Sequence, residues 1–147
     1  MPQLIIFVVL LVIGYSVGHY LEKQHYISIK AREKKLINIP TTNFKKPFDN
    51  DKKIISSKMA VGSVVISTDY FKTIFASLKN IFGGNITAYE TLIDRGRREA
   101  VLRMKEEFSD YDSFINLRIE TSSISKGRSK SIVTVEVLAT ATAIKYE

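Results

Sequence analysis

The sequence predicts an α+β fold: an antiparallel sheet covered by two consecutive helices, preceded by one transmembrane helix. Three observations carry that reading. Residues 4–21 (LIIFVVLLVIGYSVGHYL) hold no formal charge. Apolar residues recur at three- and four-residue spacing over 71–82 and again over 89–108, with Gly83-Gly84-Asn85 between the two stretches. Short β-branched, alternating runs flank the pair on both sides.

The first element follows from the uncharged run. As a helix, its 18 residues span about 27 Å, enough for a tilted membrane crossing. A cleaved signal peptide is the competing reading. It lacks a basic region before the apolar run, and Gly14-Tyr15-Ser16 and Gly18-His19-Tyr20 make poor cleavage sites. The retained anchor is therefore the expectation, with Tyr15 and Tyr20 near a headgroup region. Lys23, Lys30, Arg32, Lys34 and Lys35 follow on one side only, which places that side in the cytoplasm and the protein at the cell membrane as a single-pass chain. These cations either fix topology alone or also bind anionic lipid, at about 1 kcal/mol per charge. His19 sits at the end of the span and His25 just beyond it; they are the two histidines of the chain.

The charge is unevenly placed. Of the net +7, residues 22–58 carry ten bases against four acids, and residues 59–147 carry twelve against eleven. The basic character belongs to the segment after the anchor, and the near-neutral remainder argues against nucleic-acid binding. The chain has no cysteine, which excludes disulfides and thiolate chemistry and fits a reducing compartment. Residues 22–35 are helix-compatible and extend the anchor. Pro40, Thr41, Thr42, Asn43, Pro47 and Asp49 then interrupt regular structure, so a basic linker over 22–51 separates the anchor (1–21) from a domain over 52–147. Phe44 and Phe48 are candidates to pack back onto that domain.

Within the domain, residues 53–57 and 60–67 read as two strands or as one strand kinked at Gly62. Ser67, Thr68 and Asp69 cap a helix whose buried face is Phe71, Ile74, Phe75, Leu78, Ile81 and Phe82, and Gly83 suits its left-handed end. Thr87 and Glu90 form a capping box for the second helix. Tyr89, Leu92, Ile93, Gly96, Ala100, Met104 and Phe108 line one side of it, with Gly96 and Ala100 small enough for close backbone approach. The opposite side, Asp94, Arg95, Arg98, Glu99, Arg103 and Glu106, reads as a solvated face with two i,i+4 pairs, Asp94–Arg98 and Glu99–Arg103. Residues 114–121 alternate, placing Ile115, Leu117 and Ile119 together. A long strand over 131–144 puts Val133, Val135, Val137, Ala139, Ala141 and Ala143 on one face. The change from valine to alanine requires something to approach closely there, a helix or a neighbouring subunit.

Ile81-Phe82-Gly83-Gly84, then Tyr89-Glu90, Arg97 and Ala100, and a last strand ending Ala141-Thr142-Ala143-Ile144, resemble the bacterial YbjQ-like family, whose label names heavy-metal binding. The resemblance covers roughly residues 53–146. It implies a small dodecin-like α+β subunit that assembles into a ring, a pentamer in the family, without an established activity. Two departures stand out. Asp110-Tyr111-Asp112-Ser113-Phe114-Ile115-Asn116 replaces a Gly-Ala-Asp-Ala-Val-Val-Gly-like segment, and Ala141 replaces a glycine.

The chemistry is sparse. The family label implies a metal, yet the domain holds no Cys or His to bind a soft ion, so the cofactor stays open. Glu106, Glu107, Asp110 and Asp112 could gather round a hard cation, or form a solvated helix end. No serine elbow, catalytic histidine or phosphate loop is present, so no enzyme activity is assigned. The expected function is a membrane-anchored, ring-forming assembly module, with Gly96, Ala139 and Ala141 supplying close-packing surfaces between subunits. The alternative is a small-ligand or metal site at the Gly83-Gly84 turn or between subunits, drawing on Gly83, Gly84, Tyr89, Glu90 and Arg97.

Overall fold

A computed structural model describes residues 2–49, 51–67, 87–124 and 134–147. Helix α1 (Pro2–Lys35) carries the apolar run and the charged segment after it without a break. Its 34 residues extend about 51 Å. It is long and apolar enough to cross a membrane. Strand β1 (Ile54–Ser67), helix α2 (Thr87–Glu107), strand β2 (Ser113–Ser123) and strand β3 (Thr134–Tyr146) follow. The helix expected over 70–82 and the Gly83-Gly84-Asn85 break lie outside the described residues, as do the side chains of Thr87 and Tyr89.

The three strands form one antiparallel sheet in the order β1-β3-β2, which puts the carboxy-terminal strand in the middle. Val135, Val137, Ala139, Ala141 and Ala143 all point to one side and are buried there with Ala60, Val64, Leu92, Ala100 and Met104. What approaches the alanines is α2. A Cβ built on Gly62 would lie 2.3 Å from the Ala100 carbonyl oxygen and 2.6 Å from the Met104 amide nitrogen. Gly62 pairs with Ala139, so glycine and alanine together make the flat place on which the helix rests. Gly62 is therefore a point of helix contact rather than a kink. β1 is a single strand whose irregularity falls between Ile54 and Ser56. Gly96 does the same service from the helix side, since a Cβ there would come within 2.8 Å of Val137 Cγ2.

This packing corrects one sequence expectation. Gly96, Ala139 and Ala141 are taken up inside the subunit, so they are not the surfaces left for another copy. The alternation expected in β2 is also broken. Phe114 and Ile119 pair with Ala143 and Ala139 on the α2 side, whereas Ile115 and Arg118 pair with Thr142 and Thr140 on the other. One extra residue between Ile115 and Arg118 forms a bulge, and Asn116 there takes φ 54°. Asparagine is among the few residues that adopt this left-handed conformation readily. It stands where the resemblance expects glycine, so one backbone requirement is met by a different residue.

The segment between α1 and β1 also departs from a free tether. Thr41 bridges to Phe114 in parallel fashion, with Thr42 N donating to Phe114 O at 3.0 Å and Phe114 N to Pro40 O at 2.9 Å. The bulge amides of Asn116 and Leu117 donate to Phe44 O and Thr42 O at 2.7 and 2.9 Å. The bulge turns its unpaired amides outward and this segment accepts them. The rings of Phe44 and Phe48 stay exposed, so the attachment is through backbone rather than aromatic packing.

Candidate functional site

The lower half of α1 lies along α2. Tyr26 OH donates to Thr91 O at 3.0 Å, Arg32 reaches Glu99 and Glu106, Arg98 reaches Glu33, and Lys105 Nζ donates to Ile39 O at 2.8 Å. Partner numbers rise together on the two segments, so the helices run in the same direction. Glu22, His25, Tyr26, Ile29, Arg32 and Glu33 are the shielded positions of α1 in this region, continued by Leu36 just after its end, a three- and four-residue stripe with Ile29 fully buried at its centre.

The face of α2 read as solvated is this interface. Glu99 is buried, with its side chain 6% exposed. Burial alone would raise its carboxyl, but hydrogen bonds from Arg32 at 2.7 Å and Arg103 at 3.0 Å outweigh that and hold it below the ordinary range. Arg32 Nε and Nη2 grip both oxygens of Glu106 at 2.7 and 2.6 Å, which lowers that carboxyl and raises the guanidinium. Arg98 grips Glu33 in the same fork, at 2.8 and 2.6 Å, and lies over the Tyr26 ring. Both predicted i,i+4 pairs form, Asp94–Arg98 at 3.7 Å and Glu99–Arg103 at 3.0 Å, yet the shorter bonds of Arg98 and Glu99 go to α1. His25 belongs to the same interface. Its Nδ1 and the Nε of Arg95 are buried without a hydrogen-bond partner. Burial, then the Arg95 charge, pushes the imidazole below its usual value.

Two concave surfaces flank this core. One, of about 450 Å³, lies where the segment after α1 passes over α2 and is lined by residues including Ile39, Val101, Leu102 and Arg97. The other, of about 290 Å³, opens on the far side of the sheet beside Lys58, Met59, Asn116 and Ala141. Both positions that depart from the family pattern thus line one depression.

The predicted site residues that are described lie apart. Gly83 and Gly84 lie outside the described residues. Glu90 is exposed in the first turn of α2, whereas Arg97 lines the larger cleft two turns further on. Of the acids proposed for a cation, Glu106 is held by Arg32, Asp110 pairs with Lys145 at 3.6 Å, Asp112 Oδ2 accepts from the Tyr146 amide at 2.8 Å, and Glu107 is exposed. The interface with α1 went unread in the sequence. Its signal was the stripe from Glu22 to Leu36, obscured because charged and apolar residues share it.

The family described as "Putative heavy-metal-binding" matches residues 46–147, from the segment at the edge of β2 to the end of β3. The chain belongs to the YbjQ family. Among its relatives is a UPF0145 protein of Psychrobacter arcticus, 46% identical over 74 residues, which are 49% of this chain and 47% of that one. UPF0145 proteins of Photobacterium profundum and Clostridium tetani are 36% identical over 89 residues and 32% over 100, covering 81% and 90% of those proteins. The match spans about half the length of the Psychrobacter protein. A solved structure of a DUF74-family protein of unknown function from Pediococcus pentosaceus aligns with 73% of this chain and 98% of its own, at 16% identity and a TM-score of 0.35.

The metal in the family's description finds no matching donors among the described residues of this YbjQ chain. No group of three His, Cys, Asp or Glu able to hold an ion exists among the described residues. Soft ions require thiolate or imidazole. The chain has no cysteine, His19 stacks on Tyr15 within the apolar run, and His25 is shut into the helix interface.

Proposed function

We propose that this YbjQ-family chain is a membrane-anchored assembly module whose domain lies on the cytoplasmic face and joins with copies of itself in a closed ring. The continuity of α1 carries the reading: one helix runs from the apolar stretch into the ion-paired contact with α2. Such a stem fixes the orientation of the domain relative to the bilayer, where a flexible linker would not. The cations after residue 21 favour the cytoplasmic side.

The ring is supported by the family resemblance and by the far face of the sheet. With α2 covering one side, Met59, Val61 and Val65 of β1 remain exposed on the other, next to Leu138 of β3. A row of apolar side chains on an edge strand calls for a cover. Tethering would raise the local concentration and favour such assembly.

The absence of native cysteine makes both parts testable with single introduced thiols. Glu147→Cys in oriented vesicles should react with an impermeant maleimide only from the cytoplasmic side. Met59→Cys or Val65→Cys should cross-link between copies, while Glu107→Cys should not. Labelling from the outside, or no cross-link from β1, would overturn the corresponding part.

A further inference from the structure

We infer that the cleft between the α1–β1 segment and α2 is a binding site for a small organic anion with an apolar body. The inference is independent of the ring and of the membrane topology.

The cleft is made by chain crossing. Leu36, Ile37 and Ile39 form one wall, Val101 and Leu102 of α2 form the floor, and Ile119 of β2 closes one end. Its volume of about 450 Å³ falls within the range of sites that take small molecules, roughly 300–1,000 Å³. Ile37 is among the most exposed large apolar side chains of the described residues, so this wall has not found its own cover inside the subunit. An apolar body of modest length suits such walls.

The charges around the cleft select the sign of the ligand. Three cations, Arg97, Arg98 and Lys105, face one carboxylate, Glu33. Arg98 and Glu33 satisfy each other in a fork, which leaves Arg97 and Lys105 without a salt bridge among the described residues, Lys105 feeling the Glu33 charge only at longer range. Lys105 Nζ donates a hydrogen bond to the Ile39 carbonyl oxygen, and burial holds its ammonium below the usual range. Arg97 is exposed and forms no ion pair or hydrogen bond among the described residues. A carboxylate or phosphate entering from the Arg97 side would meet a guanidinium fork and then the Lys105 ammonium. The carbon chain behind it would lie on Val101 and Leu102.

The same chemistry has two sources: a free medium-chain carboxylate, or a lysophospholipid released from the bilayer. The test uses the full chain in nanodiscs with ¹³C-labelled Ile, Leu and Val methyls, titrated with decanoate, decanol and decanoyl lysophosphatidate, and with empty nanodiscs as the partition control. The expected result is saturable shifts at Ile39, Val101, Leu102 and Ile119, with decanoate binding at least tenfold more tightly than decanol. Arg97→Gln, an exposed change, should weaken decanoate at least fivefold and leave decanol unchanged. Val101→Trp, which fills the cleft, should abolish all binding. Tighter binding of decanoate supports a soluble source, and tighter binding of the lysophosphatidate supports a lipid source. Equal affinity for decanoate and decanol, shifts absent from these methyls, or an unaffected Arg97→Gln variant would overturn the site.

Discussion

Replacing Arg32 by Met tests how firmly the stem holds the domain. Arg32 makes three charge-assisted hydrogen bonds, two to Glu106 and one to Glu99, at 2.6–2.7 Å. The Glu106 arm is 42% exposed, so screening reduces it to about 0.5 kcal/mol. The Glu99 arm is different, because its carboxylate stays buried when Arg32 is gone. A buried acceptor left short of donors costs about 1–3 kcal/mol, and the surviving Arg103 contact moves this to the lower half of that range. The sum, about 2 kcal/mol, lowers the docking equilibrium of α1 on α2 by roughly thirtyfold. Removing both charges in Arg32→Met/Glu99→Met should restore much of the loss, since a buried pair replaced by apolar groups is close to neutral. Spin labels at Lys30→Cys and Glu107→Cys report the separation directly. A narrow distance distribution is expected for the parent, a second longer population for the single variant, and recovery in the double variant. A distribution unchanged by Arg32→Met would refute the reasoning.

Two further outcomes follow from the same contacts. Gly62→Ala sets a methyl 2.3 Å from the Ala100 carbonyl, and because that atom is backbone the helix must rise by roughly an ångström; a loss of about 1–3 kcal/mol in thermal unfolding is expected, and an unchanged melting temperature would count against the close helix–sheet contact. The docking should also weaken in mild acid. His25 is held neutral by burial and by the charges of Arg95, Arg32 and Arg103, against the opposing pull of Glu99, so its folded pKa lies below about 6.5. Its contribution is fully present above that value and is lost as pH falls toward the folded pKa. Glu33, Glu99 and Glu106 are lowered instead and lose their contribution only below about 4.5, so the window from pH 6.5 to 5 isolates the histidine. The spin-label distances of parent and His25→Gln should diverge there, and identical pH profiles would sink this assignment.

Periodicity was enough for α2 and for the inner face of β3, because burial on one side leaves a repeat that any window detects. It failed at β2, where a single inserted residue at Asn116 reverses the faces of Ile115 and Ile119; alternation in sequence carries no mark of a bulge unless the left-handed residue is recognised. It also failed at Glu99. An i,i+4 pair of opposite charge reads the same whether water or a second charged helix covers it, and the partners Arg32 and Glu33 stand more than 60 residues away. Gly62 was noticed for its freedom and not for its lack of a side chain, although only the latter matters against Ala100. Arg97 was singled out on the glycine-turn motif, while its position in the cleft depends on residues 36–41 folding back, which local sequence does not encode.

The measurement that bears most directly on the central claim is the mass of the full chain in detergent micelles, by light scattering corrected for bound detergent, over a hundredfold range of concentration. One closed oligomer, constant in mass and reduced to smaller species by Met59→Glu on the far face of the sheet, is the predicted result. A monomer at every concentration would contradict the assembly reading.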